Sequence, residues 1–237
     1  MPNTTARLAV LIDADNVPAK YATAILKEIT SFGEPGLRRV YGDWSNHHLS
    51  GWTRTAQELG LVQHQQTSNT RGKNSSDIGL VIDAMDILHA GRFDGFVLVS
   101  SDSDFTRLAS RIREQGLTVI GIGEAKAPAA LKNACNRFVS IENIASDDSQ
   151  TTGTPAKAPA PAKLPEARAL VFEAMEKIED GDEWMPLGRI GQQIQTDHPD
   201  FDTRSYGRRK LSDLLADLKV FETKPGPGNQ LLVRRVD

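Results

Sequence analysis

The chain has 237 residues, of which 39% are hydrophobic and 25% charged, and its formal net charge is −3 at neutral pH. This is the make-up of an ordinary soluble globular protein, long enough for one sizeable domain plus a small one or for two medium ones. The apolar runs are strand-sized, far below the roughly 20 residues that span a bilayer, which excludes a transmembrane helix. The opening MPNTTAR has no apolar h-region, so no secretory signal is expected. Cys135 stands alone, which excludes an internal disulfide framework and fits a reducing, cytoplasmic setting. By itself it reads as a small buried hydrophobe.

In chain order, LAVLI (8–12), LRRVY (37–41), LVQHQ (61–65), GFVLVS (95–100) and LTVIGIG (117–123) have strand character. Between them VPAKYATAILKEITSFG, LSGWTRTAQELG, SSDIGLVIDAMDILHAG and SDFTRLASRIREQG repeat apolar residues at helical spacing, and glycine closes several of them. PAALKNACNRFVSIENI adds one more helix and a short final strand. Strand–helix alternation of this kind predicts an α/β fold, with a mostly parallel sheet and helices on both faces. From Ser146 to Lys163 the sequence SDDSQTTGTPAKAPAPAK carries no aromatic or large aliphatic residue, and it reads as a disordered Pro/Ala-rich linker. The expected division is therefore a domain over 1–145, a linker over 146–163 and a second domain over 164–237.

In doubly wound α/β folds ligands bind outside the carboxyl ends of the strands. Acids stand there in this chain. Asp13, Asp15 and Asn16 follow the first strand, Ser101, Asp102, Ser103 and Asp104 follow GFVLVS, and Asp77 opens the central helix, with Asp83 further along. Each has a plainer reading alone: Asp77 as a first-turn acid, Asp102 and Asp104 as caps of the next helix. Together they point one way, because converging carboxylates repel unless a cation offsets them. Oxygen-only ligands suit Mg²⁺ or Mn²⁺. No Cys or His spacing suits zinc, since His47 and His48 are adjacent and His64 is isolated. Lys73 and Lys126 lie in loops where they could meet phosphates, or they are solvated cations.

Other chemistries compete. DADNV formally satisfies D-x-D-x-[TV], the nucleophile motif of haloacid-dehalogenase-type phosphatases, but the later acidic pair is too closely spaced and Asp77 has no place in that scheme. No Rossmann or P-loop glycine pattern follows a strand. Ser101 has no plausible His partner for serine hydrolysis.

LIDADN, GKNSSDIGLVIDAMD and VLVSSDSDF, in that order, resemble the NYN domain, a member of the PIN-like nuclease group; GIGEAKAPAALKNACNRFVSIENI is similar to its closing strand–helix–strand. The resemblance implies a PIN-like three-layer domain and a ribonuclease dependent on Mg²⁺ or Mn²⁺. Asp13, Asp77, Asp102 and Asp104 would be metal ligands and catalytic, with Asp15, Asn16, Ser101 and Asp83 supporting them. Ser101 replaces a glycine frequent in the family, a change expected to demand a tighter backbone there. The implied reaction leaves 5′-phosphate and 3′-hydroxyl ends. Two alternatives stay open: a non-catalytic RNA-binding protein with a vestigial acidic site, and a small-molecule phosphatase.

After the linker, LPEARALVFEAMEKI forms an amphipathic helix with Leu170, Phe172, Met175 and Ile178 toward its core. Short helices and the hairpin VFETK–PGPGNQ–LLVRRV then read as a winged helix-turn-helix. DEWMPLGRIGQQI, HPDF and SYGRRKLSDLL resemble the OST-HTH, or LOTUS, domain, which implies RNA binding or, alternatively, a protein partner. From Arg204 to Asp237 there are eight Lys/Arg against four Asp/Glu. That excess suits phosphate contacts from Arg204, Arg208, Arg209, Lys210 and Arg234. Tyr206 could stack on a base or sit in the core; Trp184 and Phe201 read as core. RNA is thus the expected partner and no membrane is expected; a homodimer is a further alternative that the sequence leaves open.

Overall fold

The computed structural model describes residues 5–66, 75–150, 164–178 and 183–236. The chain divides into two compact units, Met1–Asp148 and Ser149–Asp237.

In the first unit the apolar runs become strands whose side chains are covered on both faces. β1 (Arg7–Asp13) is buried in all but its first residue, β4 (Gly95–Val99) throughout, and β5 (Thr118–Gly123) after its first residue. Near-continuous apolar runs, rather than alternation, are what a parallel sheet between two helix layers requires. β2 (Glu34–Gly42), β3 (Val62–Gln65) and β6 (Arg137–Ser140) complete the sheet. Among the described residues its order is β3-β2-β1-β4-β5-β6, with every pairing parallel.

Helices cover both faces. α1 (Ala22–Ile29), α2 (Ser50–Leu59) and α6 (Ile141–Gln150) bury Ile25, Trp52 and Ile144 against Val10, Ile12 and Val97. α3 (Ser75–His89), α4 (Thr106–Glu114) and α5 (Ala129–Ala134) bury Leu80, Ile112 and Leu131 against Leu11, Phe96 and Phe138. Each such side chain contributes about 1.5–3 kcal/mol by leaving water. Trp52 also donates its indole N–H to the Val17 carbonyl at 2.7 Å, so α2 is fastened to the loop after β1 as well as packed. This is the PIN-like three-layer architecture expected of the α/β half. The last turn of α6 takes in residues 146–150, the start of the stretch whose composition reads as linker; residues 151–163 lie outside the described ones.

Strand order places the site. β2 and β3 lie to one side of β1 and β4 to the other, so the β1–β4 pair is the topological switch point, where a crevice opens at the carboxyl ends. α3 crosses from the end of β3 to the start of β4, so its first turn, with the backbone of Asp77, starts at that same edge.

The second unit packs α7 (Leu164–Lys177), α8 (Leu187–Asp197) and α9 (Leu211–Leu218) with β8 (Phe221–Pro225) and β9 (Leu231–Arg235). Ala167, Val171, Ile190, Ile194, Leu214 and Val233 form its core. A two-residue strand, β7 (Met185–Pro186), pairs with β9 to give an antiparallel sheet of order β7-β9-β8. The result is a winged helix-turn-helix; β7 is too short to leave a periodic signal. Met175 and Ile178 join the core, whereas Phe172 stays half-buried. No helix among the described residues is long and apolar enough to cross a membrane.

Candidate functional site

β1 carries its buried register one residue past the apolar run, and Asp13 is therefore only 2% exposed. Its Oδ1 accepts the backbone N–H groups of Asp15 at 3.1 Å and Asn16 at 3.3 Å. Its Oδ2 accepts the Asn16 side-chain amide at 2.7 Å and the Ser100 hydroxyl at 2.8 Å. Ser100 follows β4, directly across the switch point, and its own oxygen accepts the Asp102 N–H at 3.1 Å. Every donor to Asp13 among the described residues is neutral. Burial pushes its carboxyl above the ordinary value, the Asn16 and Ser100 hydrogen bonds pull it partly back, and the charge of Asp15 raises it further. Such a carboxylate is expensive to ionise without a cation beside it.

The loop after β4 is built as tightly. Asp102 is half-buried and caps the turn Ser103–Phe105, its Oδ1 accepting the Asp104 N–H at 2.9 Å. The cap reading of Asp102 is thus realised with one oxygen; the other accepts no hydrogen bond among the described residues. Asp104 lies exposed in that turn. The Ser101 hydroxyl accepts the Glu124 N–H at 2.8 Å, joining the ends of β4 and β5. Lys219 is the sole non-glycine residue with positive φ among those described, so Ser101 takes its place without the strain a lost glycine suggested. The glycine that matters is Gly123, where a Cβ would fall 2.6 Å from the Ser100 carbonyl oxygen.

The predicted acids are brought together only in part. Asp13, Asn16, Ser100 and Asp102 form one hydrogen-bonded chain across the switch point, and Asp15 contributes its backbone. Asp77 has its backbone at the right edge; its side chain lies outside the described residues, as does Lys73 entirely. Among the described residues no three His, Cys, Asp or Glu stand close enough together to hold a metal ion.

Asp83 is a correction to the expected support of the site. It faces β2, where it binds the Arg39 guanidinium and the Tyr41 hydroxyl, with His64 Nδ1 at 3.9 Å. Burial alone would raise its carboxyl, but the Arg39 and Tyr41 hydrogen bonds and the Arg39 charge outweigh it and hold the group below the ordinary range. Burial lowers His64, so its contact with Asp83 is not an ion pair at neutral pH. Tyr41 pairs with Asp13 in the sheet, and its carbonyl accepts the Ala14 N–H at 2.9 Å. The Asp83 cluster therefore fixes the strand next to Asp13 rather than Asp13 itself. Cys135 is fully buried and its thiol is pushed up to about 12, which removes it from nucleophilic chemistry.

In the second unit much of the predicted basic cluster is already matched. Arg204 grips Asp202 through contacts of 2.7 and 3.0 Å, both side chains largely buried. Arg208 binds Asp217 at 3.0 Å, and Arg234 binds Glu222 at 2.6 Å as well as Glu183. Arg209 and Lys210 are exposed. Tyr206 is 6% exposed and tilted against Phe201 at 5.8 Å, so its ring belongs to the core and offers no stacking face. Trp184, read as core, is half-buried instead, with Lys224 at 3.9 Å and Arg234 at 4.8 Å over its ring. In the first unit, Lys126 is exposed and pairs with Glu124 at 2.8 Å.

Family comparisons agree with this layout. The NYN domain model matches residues 7–142, and the OST-HTH/LOTUS domain model matches residues 165–233. No curated protein matches the chain. Among solved structures, the chain is similar to a protein of unknown function from Vibrio parahaemolyticus RIMD 2210633. The two share 19% identity at a TM-score of 0.52, over 61% of this chain and 98% of that one, a likeness of fold alone.

Proposed function

Since the chain belongs to the NYN domain family and carries an OST-HTH/LOTUS domain behind it, we propose that it is a metal-dependent ribonuclease whose second domain binds RNA. One observation carries the reading. Asp13 is a buried carboxylate at the switch point of a parallel sheet, and its donors among the described residues are all neutral. That environment suits an arriving cation, and the oxygen-only chemistry of the set suits a hard one. Asp13, Asp77, Asp102 and Asp104 would hold Mg²⁺ or Mn²⁺. When bound, such an ion would supply Lewis-acid polarisation of a phosphoryl oxygen and make a bound water more acidic.

The chain's own residues do the positioning. Asn16 and Ser100 fix the Asp13 carboxylate from both sides, and Ser100 also holds the backbone of Asp102. Ser101 ties that loop to β5, so the two acids keep their separation when substrate binds. Water attacks phosphorus in line as the bond to the 3′ oxygen breaks, the proton the water loses is balanced by the one the 3′ oxygen takes up, and the ends would be 5′-phosphate and 3′-hydroxyl. A cytoplasmic setting accords with the single reduced-type Cys135. The phosphatase reading of DADNV draws no support from either family.

A second reading has its own observation. The four hydrogen bonds on Asp13 occupy both oxygens, so a bound ion must displace at least one of these donors. A protein in which that exchange fails would be an RNA-binding module with a vestigial site. Labelled RNAs of varied sequence and structure, incubated with full-length protein and Mn²⁺, separate the two. Cleavage by the wild type and its loss in Asp13→Asn and Asp102→Asn is the expected result. Equal cleavage by both variants overturns the mechanism, and binding without cleavage across the panel establishes the module.

A further inference from the structure

Toward the amino ends of β1 and β2 a cavity of about 420 Å³ is lined by four arginines, Arg7, Arg38, Arg39 and Arg92, and by no Asp or Glu. For a chain whose net charge is −3, this is a local concentration of cations that nothing in the carboxylate site requires. Arg39 already has Asp83. Arg7, Arg38 and Arg92 form no ion pair among the described residues. Arg7 and Arg38 are positioned by neutral contacts instead, and Arg92 is exposed. The Arg7 guanidinium lies over the Phe93 ring, 5.6 Å from its centre, which leaves the in-plane donors open. Arg38 Nη1 donates to the Leu59 carbonyl at 3.2 Å. Bare backbone stands behind both: a Cβ at Gly36 would lie 3.7 Å from Arg7 Nε, and one at Gly60 would lie 3.6 Å from Arg38 Nη2.

The three guanidinium groups left without a carboxylate repel one another until an anion enters, and their planar forks match phosphate oxygens. We propose that this cavity is a phosphate-binding site, separate from the carboxylate edge. The phosphate comes either from an RNA backbone or from a free nucleotide. The RNA source rests on the ribonuclease reading and has a geometric argument. β1 runs from Arg7 at the cavity to Asp13 at the carboxylate edge, about 20 Å along the strand, a distance that a few nucleotides of extended RNA cover over the outside of the domain.

Binding is measured on the full-length protein in EDTA, where cleavage plays no part and failure of the nuclease reading leaves this test intact. The probes are a fluorescein-labelled single-stranded RNA, followed by anisotropy, and ADP, followed by calorimetry. The variants are Arg92→Ala, at an exposed position, and the double variant Arg7→Ala/Arg92→Ala. The double variant should bind at least one probe about tenfold more weakly, and its RNA salt slope should fall by about 1.4, the value for two lost phosphate contacts on a single strand. Weakening confined to RNA identifies the backbone as the source, and weakening of ADP identifies the nucleotide. A thermal melt verifies folding, and the single variant carries the test if the double one unfolds. Unchanged affinity and salt slope for both probes, or no binding of either by the wild type, overturns the proposal.

Discussion

Asp13 and Asp83 lie on the same side of one sheet, yet their surroundings treat a negative charge in opposite ways. Asp83 has a guanidinium and a phenol and is held below the ordinary carboxylate range. Asp13 has an amide, a hydroxyl and two backbone N–H groups, and burial holds it above that range. Hydrogen bonds are plentiful at both sites, so what separates them is whether a full positive charge is built in. Asp83 has its countercharge in the fold, whereas Asp13 has none beside it among the described residues.

Four measurements can break or sharpen that contrast. The largest effect is expected from Asp13→Asn, which should lower RNA cleavage at least 1,000-fold, about 4 kcal/mol in transition-state terms, while a far-ultraviolet spectrum stays unchanged. Next is loading. Mn²⁺ at a hundred times its dissociation constant should stabilise the wild type by about 2.7 kcal/mol, seen as a Tm rise of about 5–10 °C, and should leave Asp13→Asn unmoved. Equal shifts in both proteins would place the ion elsewhere.

Asp83→Asn should destabilise the protein by about 2 kcal/mol at neutral pH, by loss of charge-assisted hydrogen bonds, and should leave metal loading intact. The sign with pH follows from the lowered carboxyl. Its contribution is present above the ordinary value of 3.8 and is lost as pH falls through the lower folded value, so variant and wild type should converge in acid. Denaturant unfolding at neutral pH and near pH 3 tests this. Tyr41→Phe, which removes one neutral donor and leaves Arg39 in place, should cost about 1 kcal/mol in the same assay.

The parts of this molecule that were legible in the sequence share a physical basis. β1, β4 and β5 are continuous apolar runs because both faces are buried, and such runs announce themselves. Asp13 and Asp102 were legible because strand ends are where a parallel sheet exposes chemistry. Ser100 was not singled out, because a hydroxyl after a strand looks like any loop serine until β1 is placed beside β4. Asp83 read as support for the acids because linear distance along α3 says nothing about which strand the side chain reaches. Its partners Arg39 and Tyr41 come from an element more than 40 residues away. Tyr206 takes the core alternative and Trp184 leaves the core expected of it, since both lie among mixed apolar and charged residues and only packing separates them. The four-arginine cavity did leave one trace, the adjacent Arg38 and Arg39 inside a predicted strand, where paired cations are out of character.

Gly123 has a consequence for the activity proposed for this chain. A methyl group there meets a main-chain oxygen 2.6 Å away, so it is the peptide of Ser100, and not some flexible side-chain tip, that must give way. Ser100 is the hinge on which both Asp13 and Asp102 hang. A substitution at a position touching no acid would thus detune turnover while every acid remained in the sequence. A census of aspartates would score such a protein as intact, and the difference between a living and a silent nuclease would be written in a residue with no chemistry of its own.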